Sequence, residues 1–132
     1  MKKSYIIYVL IALFAISIMN VTQVKAAVSF TGNSVIKPLI DDGSHDYVHW
    51  YGETKTSASV IDIYVSSTLY VNGQLYNLGS DDEKNSMYAI VSTREYSLYN
   101  QIGAYLQLRS WHTIDDNGLP NQMWTYDDMT IY

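Results

Sequence analysis

The chain has 132 residues, no cysteine, and thirteen acidic residues against eight basic ones, a formal net charge of −5. That length supplies one hydrophobic core, and without cysteine the fold is held by packing and hydrogen bonds alone. The acid excess argues against nucleic acid phosphates or anionic membrane surfaces as electrostatically captured partners.

Lys2 and Lys3 precede a nearly unbroken apolar run from Tyr5 to Met19, and the polar stretch after it ends in Val24-Lys25-Ala26. A positive start, an apolar core and a small-x-small site are the layout of a cleavable secretory signal. The core is about 15 residues, short of the roughly 20 a membrane-spanning helix needs. Residues 1–26 are therefore expected to be a signal peptide, and 27–132 one secreted, extracellular domain with no membrane attachment after cleavage. A lipid anchor would need a cysteine at the cleavage point. Losing residues 1–26 removes three basic and no acidic residues, leaving five against thirteen, a net charge of −8. Absence of cysteine in an exported chain agrees with a Gram-positive source.

After Ala27 no convincing helical period appears, whereas period-two alternation recurs between glycine, asparagine and aspartate clusters. Residues 27–31 and 34–40 predict short strands, the second an edge strand because it contains Pro38. Residues 47–54 follow. Across 57–69, Ile61, Ile63 and Val65 are expected on the core face and Asp62, Tyr64 and Ser66 outside. Asn72-Gly73 predicts a type I′ hairpin, since both central residues need positive φ. Residues 79–86 read as a loop, and Met87, Ala89 and Val91 as the inner face of another strand. In the next, Ile102, Ala104, Leu106 and Leu108 point inward and Tyr105, Gln107 and Arg109 outward. Asp115-Asp116-Asn117-Gly118 predicts a turn, and 121–132 one or two final strands. Together these give an all-β domain, an antiparallel β-sandwich of about seven short strands.

Chemistry-bearing residues are sparse. His45 and His49 sit at i and i+4 and would share a strand face, but no closed three- or four-ligand spacing accompanies them, so no metal site is assigned. His112, after Trp111, reads as the end of a strand. Gly-x-Ser-x-Gly is absent. The acidic runs 41–42, 81–83, 115–116 and 127–128 read as turn chemistry; a structural calcium is their sharper reading, although none has the calcium-loop spacing. No catalytic residue and no other cofactor is expected. The distinctive feature is aromatic. Eleven tyrosines and three tryptophans, but one phenylalanine, follow residue 26. Rings with a hydrogen-bonding tip suit binding faces, and Tyr64, Tyr105, Trp50 and Trp111 are the candidate contact residues, with Tyr70, Tyr76 and Trp124 beside them. Cross-strand aromatic pairing that stabilises a small sheet is the plainer explanation of such rings.

The segments 50–56 and 66–73, with Ser110-Trp111-His112-Thr113, resemble small secreted proteins of Bacillus- and Clostridium-like bacteria, most of them uncharacterised. The resemblance rests on strand and turn residues; it implies a secreted β-sandwich and transfers no catalytic residue. The expected function is a non-enzymatic binding module for an extracellular glycan, cell-wall, matrix or protein partner. A bacteriocin-like competition toxin is the second reading. A small hydrolase or inhibitor is the third, and it requires His112, or the His45 and His49 pair, in a concave pocket beside a carboxylate or serine.

Overall fold

The computed structural model describes residues 27–41, 46–98 and 100–132, the side chains of 39–41 and 119 excepted. The expected signal peptide and His45 lie outside the described residues. Among the described residues five strands follow one another: β1 (Phe30–Asp41), β2 (Asp46–Val71), β3 (Gln74–Glu95), β4 (Tyr105–Asp116) and β5 (Leu119–Thr130), with a 3-10 turn at Tyr96–Leu98. All pairings are antiparallel.

The all-β antiparallel expectation holds. The count and arrangement differ: five strands form one hydrogen-bonded sheet, curled into a half-barrel, where about seven short strands in a sandwich were expected. Polar, glycine-bearing stretches that read as breaks lie inside long strands. Residues 55–56 belong to β2, and the expected loop 79–86 belongs to β3, where Asp81, Asp82 and Glu83 pair with Val65, Tyr64 and Ile63.

β2 organises the sheet. Its first half pairs with β1 and its second half with β4, both along one edge, while β3 follows it along the other. The β2–β3 register slips between Lys55 and Val60, opposite a β3 segment in which Asn85 has φ 52°. Such a bulge bends and twists the ladder. The bend turns the two halves of β2 toward each other, so that Thr54 Oγ1 donates to the carbonyl of Tyr64 at 3.0 Å. β1 thereby comes to lie over β4 and β5.

Both two-residue hairpins are present. Asn72 and Gly73 have φ of 50° and 81°, and Asn117 and Gly118 have 59° and 77°, the two consecutive positive values that a type I′ turn requires. Pro38 lies where the β1–β2 register shifts between Lys37 and Ile40, so its missing N–H interrupts no regular ladder.

The inside of the curl holds two apolar clusters. One gathers Trp50, Leu69, Leu98, Leu106, Leu108 and Ile131 with their neighbours, the other Val60, Ile63, Val65, Ala89 and Ile114. Ile63, Val65, Ala104, Leu106 and Leu108 are buried as alternation predicts. Ile61, Met87 and Ile102 are exposed instead. Ile102 precedes β4 beside Gly103 in a turn, and Ile61 and Met87 stand at the bend, where period two is interrupted.

Candidate functional site

Between the two apolar clusters runs a buried polar belt. β4 continues its inward face past Leu108 to Ser110 and His112, and β2 places Ser67 between Val65 and Leu69. β1 adds Ser34, the first half of β2 adds Thr54, and β5 adds Thr125. Their side chains form one network. Thr54 Oγ1 lies 2.8 Å from His112 Nδ1, and His112 Nε2 lies 2.7 Å from Thr125 Oγ1. Ser34 Oγ lies 2.6 Å from Thr125 Oγ1 and 2.7 Å from Ser110 Oγ; Ser110 in turn lies 2.8 Å from Ser67.

Two glycines make room for the belt. A Cβ on Gly52 would stand 2.0 Å from Ser67 Oγ and 2.7 Å from Ser110 Oγ, and one on Gly32 would stand 2.5 Å from the His112 ring. The walls of the curl therefore approach at backbone distance where the polar groups meet.

His112 has no exposed surface. Burial pushes its pKa down to about 4, because removing water disfavours the charged ring. In the neutral ring Nδ1 donates to Thr54 Oγ1, whose own proton goes to the Tyr64 carbonyl, and Nε2 accepts from Thr125 Oγ1. His112 does stand among serine and threonine hydroxyls, as a hydrolase reading demands, but in a sealed layer and not in a pocket. The belt is thus a hydrogen-bonded network in the core, which fixes the register of the packed walls. Among the described residues surface hollows lie elsewhere, such as one of about 230 Å³ lined by Val28, Ile114, Asp116 and Pro120 and one of about 240 Å³ lined by Pro38, Met129 and Ile131.

The outer side of the same strands carries the aromatic candidates. The β4–β5 register sets Trp111 opposite Trp124 and Arg109 opposite Tyr126. The Trp111 and Trp124 ring centroids are 4.8 Å apart, and Tyr126 stacks on Trp124 at 6.5 Å with 18° between planes. Trp124 is 53% and Tyr126 62% exposed. Arg109 lies over Tyr70, 4.9 Å from the ring centroid, and its guanidinium also donates to Gln107 Oε1. Four rings and a guanidinium plane thus cover adjacent positions of β2, β4 and β5.

Of the four candidate contact residues, Trp111 is half-buried in this cluster. Tyr64, opposite Thr113, and Tyr105, opposite Thr130, flank it at the two ends of β4, too far apart for one small contact. Burial and the Asp128 carboxylate raise the Tyr105 hydroxyl pKa. Trp50 does not belong to the outer face: it is fully buried, and its indole N–H donates to Glu95 Oε1 at 3.0 Å. It occupies an inward position of β2, because the alternation of 47–54 runs with even residues inside. Tyr126 is the residue sequence reasoning passed over. Counting outward from the Asn117-Gly118 hairpin in strict register brings Trp111 to Trp124 and Arg109 to Tyr126, so the signal was in the turn.

The remaining candidates are dispersed. His49 is on the outer face of β2, its Nε2 2.7 Å from Ser92 Oγ. Among the described residues no three His, Asp or Glu side chains are grouped to hold a metal ion. Several acids serve backbone donors: Asp81 accepts from the Ile90 N–H, Asp115 from Gly118, and Asp127 from Ile36 across the curl. Lys84 bridges Asp62 and Asp82.

No family model matches the chain, and no curated protein matches it. Solved structures give similarities of shape. A protein of Arabidopsis thaliana, known from a solution structure, is 17% identical over 85% of this chain and 89% of its own, with a TM-score of 0.45. A crystal structure of a protein from Archaeoglobus fulgidus is 11% identical over 80% of this chain and 98% of its own, with a TM-score of 0.35. At such scores neither carries an argument about this chain.

Proposed function

We propose that the chain is exported, loses residues 1–26 and works outside the cell as a non-enzymatic binding module, with the outer face of β4 and β5 as its contact surface. The observation that carries this reading is the Trp111–Trp124–Tyr126 cluster, in which Trp124 and Tyr126 are exposed, with Arg109 at its flank. Apolar ring faces cost little to desolvate and lose few rotamers on binding, so a flat aromatic strip suits the hydrophobic faces of sugar rings. A neutral polysaccharide also escapes the repulsion that an acidic chain imposes on polyanions. The curled sheet is then used as a two-layer, sandwich-like scaffold whose sealed polar belt keeps that outer face in register. The likeness to small secreted proteins of Bacillus- and Clostridium-like bacteria supports the same reading.

Retention on insoluble peptidoglycan, cellulose and chitin tests it, with a Trp124→Ala/Tyr126→Ala variant as control. Binding to one polymer that disappears in the variant is the expected result. No retention on any of the three polymers refutes the glycan reading.

A further inference from the structure

The outer face of β4 and β5 continues across β2 onto the first part of β3. The β2–β4 register sets Gln107 opposite Tyr70 and Arg109 opposite Thr68, and the β2–β3 register sets Tyr70 opposite Leu75 and Thr68 opposite Leu78. Directly opposed residues share a face. Leu75 and Leu78, 60% and 63% exposed, therefore lie beside Tyr70 on the surface that carries Trp124 and Tyr126. Arg109 is exposed and reaches from β4 over the Tyr70 ring. Its charge thus sits between the aromatic strip and the two leucines.

The surroundings hold this guanidinium in place without neutralising it. Nε and Nη2 both donate to Gln107 Oε1, at 3.0 and 2.6 Å. That occupies two of arginine's five N–H donors, and the amide brings no charge. The Tyr70 ring supports the guanidinium plane from below. Lys84, the other cation on this face, is bridged to Asp62 and Asp82, whereas no described carboxylate forms an ion pair with Arg109. Asp128, opposite Gln107, is engaged by the Tyr105 hydroxyl. In a chain with thirteen acidic and five basic residues after residue 26, a fixed cation kept out of the internal ion pairs is available to an external carboxylate.

We propose, on the glycan-binding reading above, that Arg109 selects a chain of neutral rings bearing a carboxylate on a lactyl ether, as in peptidoglycan strands stripped of their peptides. A guanidinium fork meets the two oxygens of a carboxylate in one plane, and three N–H donors remain for it. Trp124 and Tyr126 take the apolar face of a neighbouring ring, and Leu75 and Leu78 offer apolar surface to the lactyl methyl. A polyuronate carries a carboxylate on every ring, and an acidic chain with Asp82 and Asp128 on the same face repels that density of charge. Cellulose and chitin carry none and leave the guanidinium unpaired.

Titrations of the purified protein at equal ionic strength, followed by amide and indole NMR, test this. They compare the disaccharide of N-acetylglucosamine and N-acetylmuramic acid, whose lactyl carboxylate is free, with diacetylchitobiose, which lacks the lactyl group. The first should bind about tenfold more tightly, the scale of one charged hydrogen-bonded contact. Arg109→Gln should erase that preference, and an unchanged Trp50 indole signal in the variant checks its fold. Equal binding of the two sugars by the wild type overturns the proposal and leaves the glycan reading standing, as does a preference that survives Arg109→Gln. Binding of neither sugar overturns both.

Discussion

Acid should destabilise this protein through His112. The ring is sealed between Thr54 and Thr125 and its pKa is about 4 in the fold, against 6.5 for the free side chain. Between those two values the unfolded chain binds a proton that the folded chain refuses. Stability therefore rises with pH across this window: the contribution is fully present above pH 6.5 and is lost as pH falls toward 4. Each pKa unit corresponds to about 1.4 kcal/mol, so the total loss is about 3 kcal/mol. That is a large share of the 5–15 kcal/mol typical of domain stability. Urea unfolding followed by tryptophan fluorescence at pH 7, 6, 5 and 4 measures it. His112→Gln keeps an amide donor and acceptor in the belt but cannot titrate, so its stability should be lower at pH 7 and nearly flat down to pH 4. A wild-type protein equally stable at pH 7 and pH 4.5, or a variant with the same pH slope as the wild type, would refute the reasoning. Asp62, whose pKa is lowered by its hydrogen bond to Lys84, loses its contribution only below its ordinary value of 3.8, outside that window.

Gly52→Ala drives a Cβ into Ser67 and Ser110 and should cost about 1–3 kcal/mol by overpacking; Ser67→Ala in the same chain should restore part of the loss, a coupling that a double-mutant cycle by urea denaturation reads. Gly73→Ala meets no neighbouring atom but stands at φ 81°, so its cost should be conformational only, about 1 kcal/mol by thermal melting. Trp124→Ala/Tyr126→Ala removes exposed rings and should leave the melting temperature within a few degrees of the wild type while abolishing polymer retention. The intact mass of protein recovered from the medium of an exporting host should correspond to a chain beginning at Ala27; a mass that includes Met1 would contradict processing.

Much of the sheet was legible because its local chemistry is explicit. Asn72-Gly73 and Asn117-Gly118 admit hardly any other turn, and the Ile63–Val65 and Leu106–Leu108 alternation has one buried side. What misled was polarity in the interior. Ser67, Ser110 and His112 occupy inward positions that a hydrophobic pattern assigns to the surface or to a strand end, and their mutual hydrogen bonds remove the desolvation cost that would otherwise keep them outside. No spacing along the chain reveals that Thr54 and Ser34 arrive from other strands to complete the network. The strand lengths were hidden for a related reason: Asp81, Asp82 and Lys84 form a ladder by pairing with β2 and by the Lys84–Asp62 contact, an arrangement of charges that resembles a loop when read one residue at a time. Trp50 and Trp111 show the remaining ambiguity. Both are tryptophans in alternating strands, and only the tertiary fold decides that one is core and the other faces out.

The most direct test of the contact surface follows the three indole N–H signals by NMR while a soluble oligosaccharide of the retained polymer is added. Trp50, buried and bonded to Glu95, is an internal reference. The account predicts saturable movement of the Trp111 and Trp124 signals with Trp50 unchanged. Saturable binding that leaves Trp111 and Trp124 unmoved, or that shifts Trp50 as much as the others, would contradict it.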